Sequence, residues 1–254
     1  MSRRLFLYVS GLVVLLVVIG GGVAAVALRG DDDGDSGGDD PNNEFDNGGL
    51  EGDLTTPCAD NTLDCWFSLR DPGFTITDER ARSGSHSAHM MMRETPQSDD
   101  VKIYYLVQEV DPLELPEVIS GEYFVENWVK GTELQYLQFV VITFGGGENL
   151  PECPGGGACP NYQIRYLLAG IDREPFPIAN AKFVFISEDD PVEGQWVHFE
   201  RNLRQDFAEL WGGVPNGFTK IRVLFEVRYD GKQPTEGPLE ADVYYDDLYM
   251  GPAR

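Results

Sequence analysis

The sequence is poor in basic residues and in histidine. Its 254 residues include 19 Lys and Arg against 43 Asp and Glu, which gives a formal net charge of −24. A chain this acidic repels phosphate backbones and anionic lipid, so nucleic-acid binding is excluded. Only three histidines are present, and each lies in a strand-like pattern where a histidine is usually structural. The sequence therefore offers few of the residues that general acid–base catalysis uses.

The N-terminus carries a long uncharged stretch. Residues 5–28 contain no charged side chain, and at about 1.5 Å per residue a helix of this length crosses a bilayer. Arg3 and Arg4 precede it, so the positive-inside rule places residues 1–4 in the cytoplasm and the remainder outside the cell. A cleaved signal peptide is the alternative, since AVA at 25–27 resembles a cleavage site, but the run is long for that class. We expect a retained signal-anchor and a single-pass membrane protein.

An acidic tract follows the apolar stretch. Residues 30–56 hold ten acidic residues and no Lys or Arg, so residues 29–56 are predicted to be a disordered Gly/Asp-rich linker. The DDDGD segment is similar to calcium loops, but the spacing of an EF-hand loop is absent. The remaining residues, 57–254, are expected to form one extracellular domain, with 16 basic and 33 acidic residues.

The four cysteines all lie in the segment assigned to the cell exterior. They occupy positions 58, 65, 153 and 159, and an even number in an exported domain favours disulfides. Three pairings are possible; two local bridges, Cys58–Cys65 and Cys153–Cys159, are predicted. A zinc site is the alternative, but these spacings are not those of zinc knuckles.

The segments after residue 66 alternate apolar and polar residues with a period of two. They are rich in Val, Ile, Phe and Tyr and are separated by Gly, Pro, Asp and Asn clusters, which indicates strands. The predicted strands are 74–77, 86–92, 101–109, 121–129, 135–144, 162–169, 182–187, 195–201, 220–229 and 241–249. Only 203–211 has a helical pattern. The fold class is therefore all-β, a β-sandwich or jelly roll preceded by one transmembrane helix.

Four motifs in order carry a resemblance to a known family. A Ser-Gly-x-x-Ser turn (Ser83, Gly84, Ser87) precedes a strand, and GEYFVENWVKG, GQWVHFERNL and a closing VYYDDLYMG follow. This series resembles the galactose-binding-like jelly roll of many carbohydrate-binding modules, and it spans about 66–252. The resemblance implies a non-catalytic domain that binds a polysaccharide or glycan.

The closing strand contains two adjacent aspartates within an apolar run. Successive strand residues face opposite sides, so only one of Asp246 and Asp247 can point inward. The resemblance implies that Asp246 is a ligand of one structural Ca²⁺, an ion that takes six to eight oxygens. Backbone N–H groups that hold the carboxylate without a metal are the alternative.

A sugar-binding surface requires an exposed aromatic platform. Trp211, at the end of the predicted helix beside a flexible turn, is the best candidate for exposure. Tyr104 and Tyr105 are adjacent on one strand, so one of them is expected to face outward.

Two other functions compete with glycan binding. The same sandwich could hold a protein partner in the cell envelope. A polysaccharide-degrading enzyme is the lesser alternative: Glu240, Asp242 and Asp246 share one strand parity, and glycoside hydrolysis needs two carboxyls. Their spacing is explained by the family's closing strand, so no catalytic residue is predicted.

Overall fold

The computed structural model of the chain describes residues 40–51, 65–95, 101–153, 156–157, 159–231, 233 and 236–254. Within these residues the chain folds as ten strands and one helix. The strands are β1 (Thr75–Thr77), β2 (Ser87–Glu94), β3 (Lys102–Val110), β4 (Val118–Val129), β5 (Gln135–Phe144), β6 (Asn161–Ala169), β7 (Ala181–Phe185), β8 (Trp196–Asn202), β9 (Lys220–Tyr229) and β10 (Leu239–Gly251), and the helix is α1 (Leu203–Trp211). Every predicted strand and the predicted helix are confirmed.

The strands form two five-stranded sheets. The first sheet has the order β1-β2-β10-β4-β8 and the second β3-β9-β5-β6-β7. Neighbouring strands are antiparallel except β6 and β7, which are parallel. Since alternate side chains of each strand point to one face, the apolar inner faces of the two sheets form a common core. The observed architecture is a β-sandwich, as predicted.

Large aromatic rings fill the core between the sheets. Phe225 of β9 lies with its ring centroid 6.1 Å from Phe139 of β5 and 5.3 Å from Tyr245 of β10. All three side chains are fully buried. The ring of Phe199 of β8 stacks 4.9 Å from Phe139, which joins the two sheets a second time. Such rings contribute the largest share of apolar burial.

The helix α1 is capped at both ends. The Asn202 side chain accepts a hydrogen bond from the Gln205 N–H at 2.9 Å, which satisfies one of the free N–H groups of the first turn. Gly212 follows the last residue with φ 77°, the left-handed conformation that commonly ends a helix. Leu203 and Phe207 point into the core and are fully buried.

The prediction of a disordered linker through residue 56 is wrong for residues 40–51, which we call the N-terminal strap. Phe45 and Leu50 are buried in the core, and the Phe45 ring lies 5.3 Å from that of Trp66. The acidic composition hides these two apolar anchors, because they stand among polar neighbours and show no periodicity. The folded domain therefore begins before residue 57.

The strap is hydrogen-bonded to the end of β10. The Glu44 N–H donates to the Met250 carbonyl at 2.7 Å, and the Leu248 N–H donates to the Gly48 carbonyl at 2.9 Å. A side chain at Gly48 would overlap the Leu248 carbonyl, so this close approach requires glycine. The strap therefore extends the contacts of the first sheet.

Several predicted features lie outside the described residues: the transmembrane segment 5–28, the rest of the linker and Cys58. No helix among the described residues is apolar and long enough to span a bilayer. The Cys153–Cys159 disulfide is confirmed. Cys65 is disulfide-bonded, and its predicted partner is Cys58.

Candidate functional site

The outer face of the second sheet carries a line of polar side chains that we call the polar strip. Its members are Gln138, Arg165, Glu226, Arg228 and Asp230. The strip arises from strand alternation: Phe225 and Val227 of β9 point into the core, so the intervening Glu226 must point outward. The antiparallel register places Gln138 of β5 opposite Glu226 of β9. Three adjacent strands, β9, β5 and β6, therefore bring the strip together.

The strip is ordered by hydrogen bonds around one arginine. Arg228 donates from Nη2 and Nε to the two carboxylate oxygens of Asp230 at 2.6 and 3.1 Å, and from Nη1 to Glu226 at 3.1 Å. Gln138 Nε2 donates to the same Glu226 oxygen at 2.5 Å. The Tyr136 hydroxyl donates to Asp230 at 2.6 Å. Bidentate pairing of this kind fixes both partners in place.

Three polar atoms of the strip are buried and have no hydrogen-bond partner among the described residues. They are Gln138 Oε1, Arg165 Nε and Arg165 Nη1. Leaving a buried polar group without a partner costs about 1–3 kcal/mol, and more for a charged group. A protein holds such groups at a cost to its stability. These atoms are the hydrogen-bonding capacity that a ligand could use.

Aromatic rings border the strip. The ring centroid of Phe176, in the loop between β6 and β7, lies 5.3 Å from the guanidinium carbon of Arg165 and 5.3 Å from that of Arg228. Tyr136 lies 5.5 Å from the Arg228 guanidinium. Arg70 lies 5.8 Å from the ring of Tyr105 on the far side. These distances are within the range of cation–π attraction.

The environment of the strip shifts the pKa values of its residues. Burial lowers the pKa of Arg165, an effect that the nearby Glu226 carboxylate partly opposes. Burial would also lower the pKa of Arg228, but the negative charge around it outweighs burial and raises that pKa. The carboxylates of Glu226 and Asp230 act to raise the pKa of both arginines, and burial outweighs them at Arg165 but not at Arg228. Arginine remains charged in proteins in either case.

The predicted exposure of Trp211 is wrong. Only 6% of the residue is exposed, its Nε1 donates to the Gln163 carbonyl at 3.3 Å, and the Lys182 Nζ lies 4.9 Å from the ring. The ring packs edge-on against that of Tyr162 of β6, with 5.1 Å between the ring centroids. A ring enclosed on these sides offers no platform to a sugar.

The two predicted strand tyrosines lie on opposite faces of β3. Tyr104 belongs to the central core, and Tyr105 belongs to the apolar cluster on the outer face. Both are buried, with 4% and 5% of each residue exposed. Tyr105 therefore faces outward, as predicted for one of the two. Neighbouring side chains cover it, so it is not an exposed platform. Burial raises the pKa of both phenols.

The prediction that Asp246 points inward is wrong, although the residue is fully buried. It alternates with Tyr245 of the core, and loop residues cover it on the other face of β10. Oδ2 accepts the N–H groups of Arg82 at 2.7 Å and Ser83 at 3.3 Å, and Oδ1 accepts the Asp247 N–H at 2.7 Å. Burial, and then the charge of Asp247, raise the pKa of Asp246 to about 7 despite these three donors.

The surroundings of Asp246 favour the alternative without a metal. Three N–H groups already point at the carboxylate, which has about four lone-pair sites. Among the described residues no group of three His, Cys, Asp or Glu side chains is arranged to hold an ion. Calcium at Asp246 stays a prediction.

The carboxylates weighed as catalytic are engaged in contacts of the first sheet. Asp242 accepts hydrogen bonds from His89 Nε2 at 2.9 Å and Asn127 Nδ2 at 2.7 Å, and it pairs with Arg93. Burial acts to raise its pKa, but these donors together lower it. Glu240 lies 3.8 Å from Arg93. These contacts account for both carboxylates as structural groups.

Sequence reasoning missed the polar strip, although one signal of it was present. The β9 segment KIRVLFEVRYD places charged residues at alternate positions, on the face opposite its apolar ones. That alternation shows that one face of β9 is charged. It cannot show that Gln138 and Arg165, from distant parts of the chain, lie beside it.

Comparisons with known proteins find similarity in structure only. No family model matches the chain, and no curated protein sequence matches it. A solved carbohydrate-binding module, TmCBM61 in complex with β-1,4-galactotriose, is similar with a TM-score of 0.40 and 13% identity, over 82% of this chain and 97% of that one. The CBM22-1 xylan-binding domain of Xyn10C from Paenibacillus barcinonensis has a TM-score of 0.32 and 14% identity, over 74% and 87% of the two chains.

An enzyme is also among the similar structures. An endo-β-1,4-glucuronan lyase from the fungus Trichoderma reesei has a TM-score of 0.41 and 12% identity, over 78% of this chain and 94% of that one. The structures to which this chain is similar thus include β-sandwich carbohydrate-binding modules, the class of domain that the sequence motifs resemble.

Proposed function

We propose that the protein binds a carbohydrate at the polar strip on the outer face of its second sheet. The observation that carries this proposal is the presence of three buried polar atoms without protein partners, Gln138 Oε1, Arg165 Nε and Arg165 Nη1, within one strip. They comprise one acceptor and two donors. A ligand that both donates and accepts hydrogen bonds would satisfy all three.

Sugars meet this requirement better than most ligands. Each hydroxyl group donates one hydrogen bond and accepts two, so adjacent hydroxyls can pair with an amide oxygen and a guanidinium together. The C–H faces of a sugar ring pack on aromatic rings, and the partly exposed Phe176 borders the strip. The combination of amide, guanidinium and ring is what supports a carbohydrate over an apolar ligand.

We propose binding without catalysis. Glycoside hydrolysis needs one carboxyl as a proton donor and a second as a base or nucleophile. The two carboxylates of the strip, Glu226 and Asp230, both accept hydrogen bonds from Arg228, and Glu226 also accepts one from Gln138. These contacts support a role in positioning the guanidinium and the amide.

The proposed setting is the outer surface of a cell membrane. Residues 5–28 would anchor the chain, and the acidic residues between the anchor and the strap would hold the jelly-roll sandwich away from anionic lipid. The support for this part of the proposal is the uncharged run and the charge asymmetry of the sequence.

The test is a polysaccharide panel applied to the full-length chain in detergent. We expect retention on at least one polysaccharide, and at least tenfold weaker binding for Q138A, which removes the unpartnered acceptor. Q205A is the matched control, since Gln205 is an exposed residue of α1 whose side chain donates a hydrogen bond to Glu209. The melting temperature of each variant shows that it is folded. Failure of the wild type to bind any polysaccharide, or wild-type affinity in folded Q138A, would reject the proposal and favour a protein partner.

A further inference from the structure

The outer face of the second sheet has more positive than negative charge. Its outward-facing charged residues are four bases and three acids: Arg165, Lys220, Arg222 and Arg228, with Glu109, Glu226 and Asp230. The whole chain has 19 basic and 43 acidic residues. A local excess of cations is therefore contrary to the composition, and it marks this face as suited to a negatively charged ligand.

Three of the four bases are already paired with carboxylates. Lys220 Nζ lies 2.7 Å from Glu109, and Arg222 Nη2 lies 2.6 Å from the other oxygen of that carboxylate. Arg228 pairs with Glu226 and Asp230. The fourth base is the one without a carboxylate partner among the described residues.

That base is Arg165. It has no ion pair with any described residue, and its one hydrogen bond runs from Nη2 to the Gln163 side chain at 3.0 Å. Its Nε and Nη1 atoms are buried without partners. A buried cation that cannot lose its proton is costly unless an anion lies beside it. Neutral hydroxyls would satisfy its hydrogen bonds but not its charge.

We propose that the ligand of the polar strip is an acidic polysaccharide whose sugar carboxylate pairs with Arg165. This inference rests on the proposed function and names its substrate class. A neighbouring hydroxyl donates to Gln138 Oε1, which lies on the adjoining strand. Because Arg165 is the base of this face that has no carboxylate partner among the described residues, a carboxylate of the ligand can take that place. The planar carboxylate also suits the guanidinium plane.

The Phe176 ring lies against Arg165. It lies over the Arg165 guanidinium at 5.3 Å, in the segment 170–180 that joins β6 to β7. Neighbouring Asp172, Arg173 and Glu174 are exposed. A carboxylate that reaches Arg165 replaces this cation–π contact with an ion pair, so Phe176 must move aside.

The test compares polyuronates with their carboxyl-reduced counterparts on the full-length chain in detergent. The probes are polygalacturonate, polyglucuronate and alginate, each paired with its carboxyl-reduced form. We expect at least tenfold tighter binding of one polyuronate than of its reduced form. Binding of the polyuronate should also weaken as the salt concentration rises from about 50 to about 500 mM, because salt screens charge–charge attraction.

Variants of Arg165 identify the pairing group. R165Q should lose at least tenfold in affinity for the polyuronate and little for the reduced form. R165K should retain part of the affinity, since it keeps the charge. R80Q is the matched control, because Arg80 pairs with Glu126 on the opposite sheet. Melting temperatures establish that each variant is folded.

The outcomes separate the two proposals. Equal binding of reduced and unreduced forms, or wild-type polyuronate binding in folded R165Q, overturns the carboxylate inference and leaves carbohydrate binding in place. Tighter binding of a sulfated polysaccharide than of every polyuronate also overturns it. No binding of any charged or neutral polysaccharide overturns both.

Discussion

Glu51 and His86 are joined at two points. The His86 backbone N–H donates to Glu51 Oε1 at 2.8 Å, and His86 Nδ1 lies 3.0 Å from Glu51 Oε2. Ser85 also donates to both oxygens, from its N–H at 2.5 Å and its hydroxyl at 2.8 Å. The last residue of the strap thereby holds the Ser-Gly turn that precedes β2. One carboxylate organises a segment of the first sheet to which it is not adjacent in sequence.

The variant E51A should destabilise the domain by about 2 kcal/mol, because charge-assisted hydrogen bonds to the turn are lost together. The measurement is the free energy of unfolding from urea denaturation. E188A, at an exposed carboxylate, is the control and should change it by less than about 0.5 kcal/mol. Equal stability of E51A and wild type would mean that Glu51 does not hold the turn.

The Glu51 contribution should vary with pH in a defined direction. Burial acts to raise its pKa, but the bonds from His86 and Ser85 lower it from 4.5 to about 2. A lowered pKa gives stability that is complete above pH 4.5 and is lost as the pH falls toward 2. The difference in unfolding free energy between wild type and E51A should therefore shrink over this interval. A constant difference would contradict the role of the ionised carboxylate.

A fragment that begins at residue 57 should be less stable than one that begins at residue 36. It lacks Phe45 and Leu50, whose burial contributes roughly 1.5–3 kcal/mol each. The measurement is the melting temperature and the urea midpoint of the two fragments. The variant F45A in the longer fragment, with an expected loss of about 3–5 kcal/mol, shows whether packing is the cause. Equal stability of the two fragments would restore the linker interpretation.

Asp246 should make stability fall as the pH rises from about 4 to about 7. Its folded pKa of about 7 is above the ordinary value of 3.8, so the folded state binds a proton more readily than the unfolded state in this interval. The contribution is complete below pH 3.8 and is lost as the pH rises through 7. D246N, which cannot ionise, should lack this dependence. The check is a series of urea titrations of both proteins, and parallel profiles would refute the assignment.

Chelation tests the calcium prediction for Asp246 directly. Because backbone N–H groups already hold the carboxylate, we expect EGTA to leave the melting temperature within about 1–2 °C of its original value; a 1 kcal/mol change shifts it by roughly 2–4 °C in a domain of this size. Magnesium-loaded protein is the control for ionic strength. A larger fall on chelation, restored by added Ca²⁺, would establish the calcium ligand that the family resemblance implies.

W211A should lower stability by about 3–5 kcal/mol, as expected for a large side chain removed from a packed site. Its affinity for a polysaccharide, measured on the fraction that is folded, should match that of the wild type, because the ring has no surface to offer a ligand. Reduced affinity of W211A for the polysaccharide, without a loss of stability, would instead show that Trp211 contributes to ligand binding.

The strands could be predicted from the sequence because each has one face toward the core. Alternation is a local property, and β9 shows it over ten residues. The strap could not be predicted, because Phe45 is anchored by ring contacts with Trp66 and Phe225, which the local sequence does not show. The acidic composition of the surrounding residues predicts a disordered linker instead.

The candidate site depends on the order of the strands. The charges of β9 are visible in the sequence, but Arg165 of β6 reaches them only because β5 lies between the two. Trp211 was misplaced for a related reason: its turn-rich neighbourhood indicates exposure, whereas the contact that buries it comes from β6. Contacts between residues distant in sequence determine both the assembly of the polar strip and the burial of Trp211. A local sequence pattern does not show such contacts.

The ion pair between Asp40 and Arg254, 2.7 Å apart, places the start of the strap beside the last residue. In a fragment of residues 40–254, a short peptide could therefore join these two positions, and new termini could be opened in the exposed segment 188–190 between β7 and β8. Such circular permutants fold when the original ends are adjacent and the new ones interrupt no strand. The same adjacency lets the domain be inserted whole into a loop of another protein, with little distortion of its host.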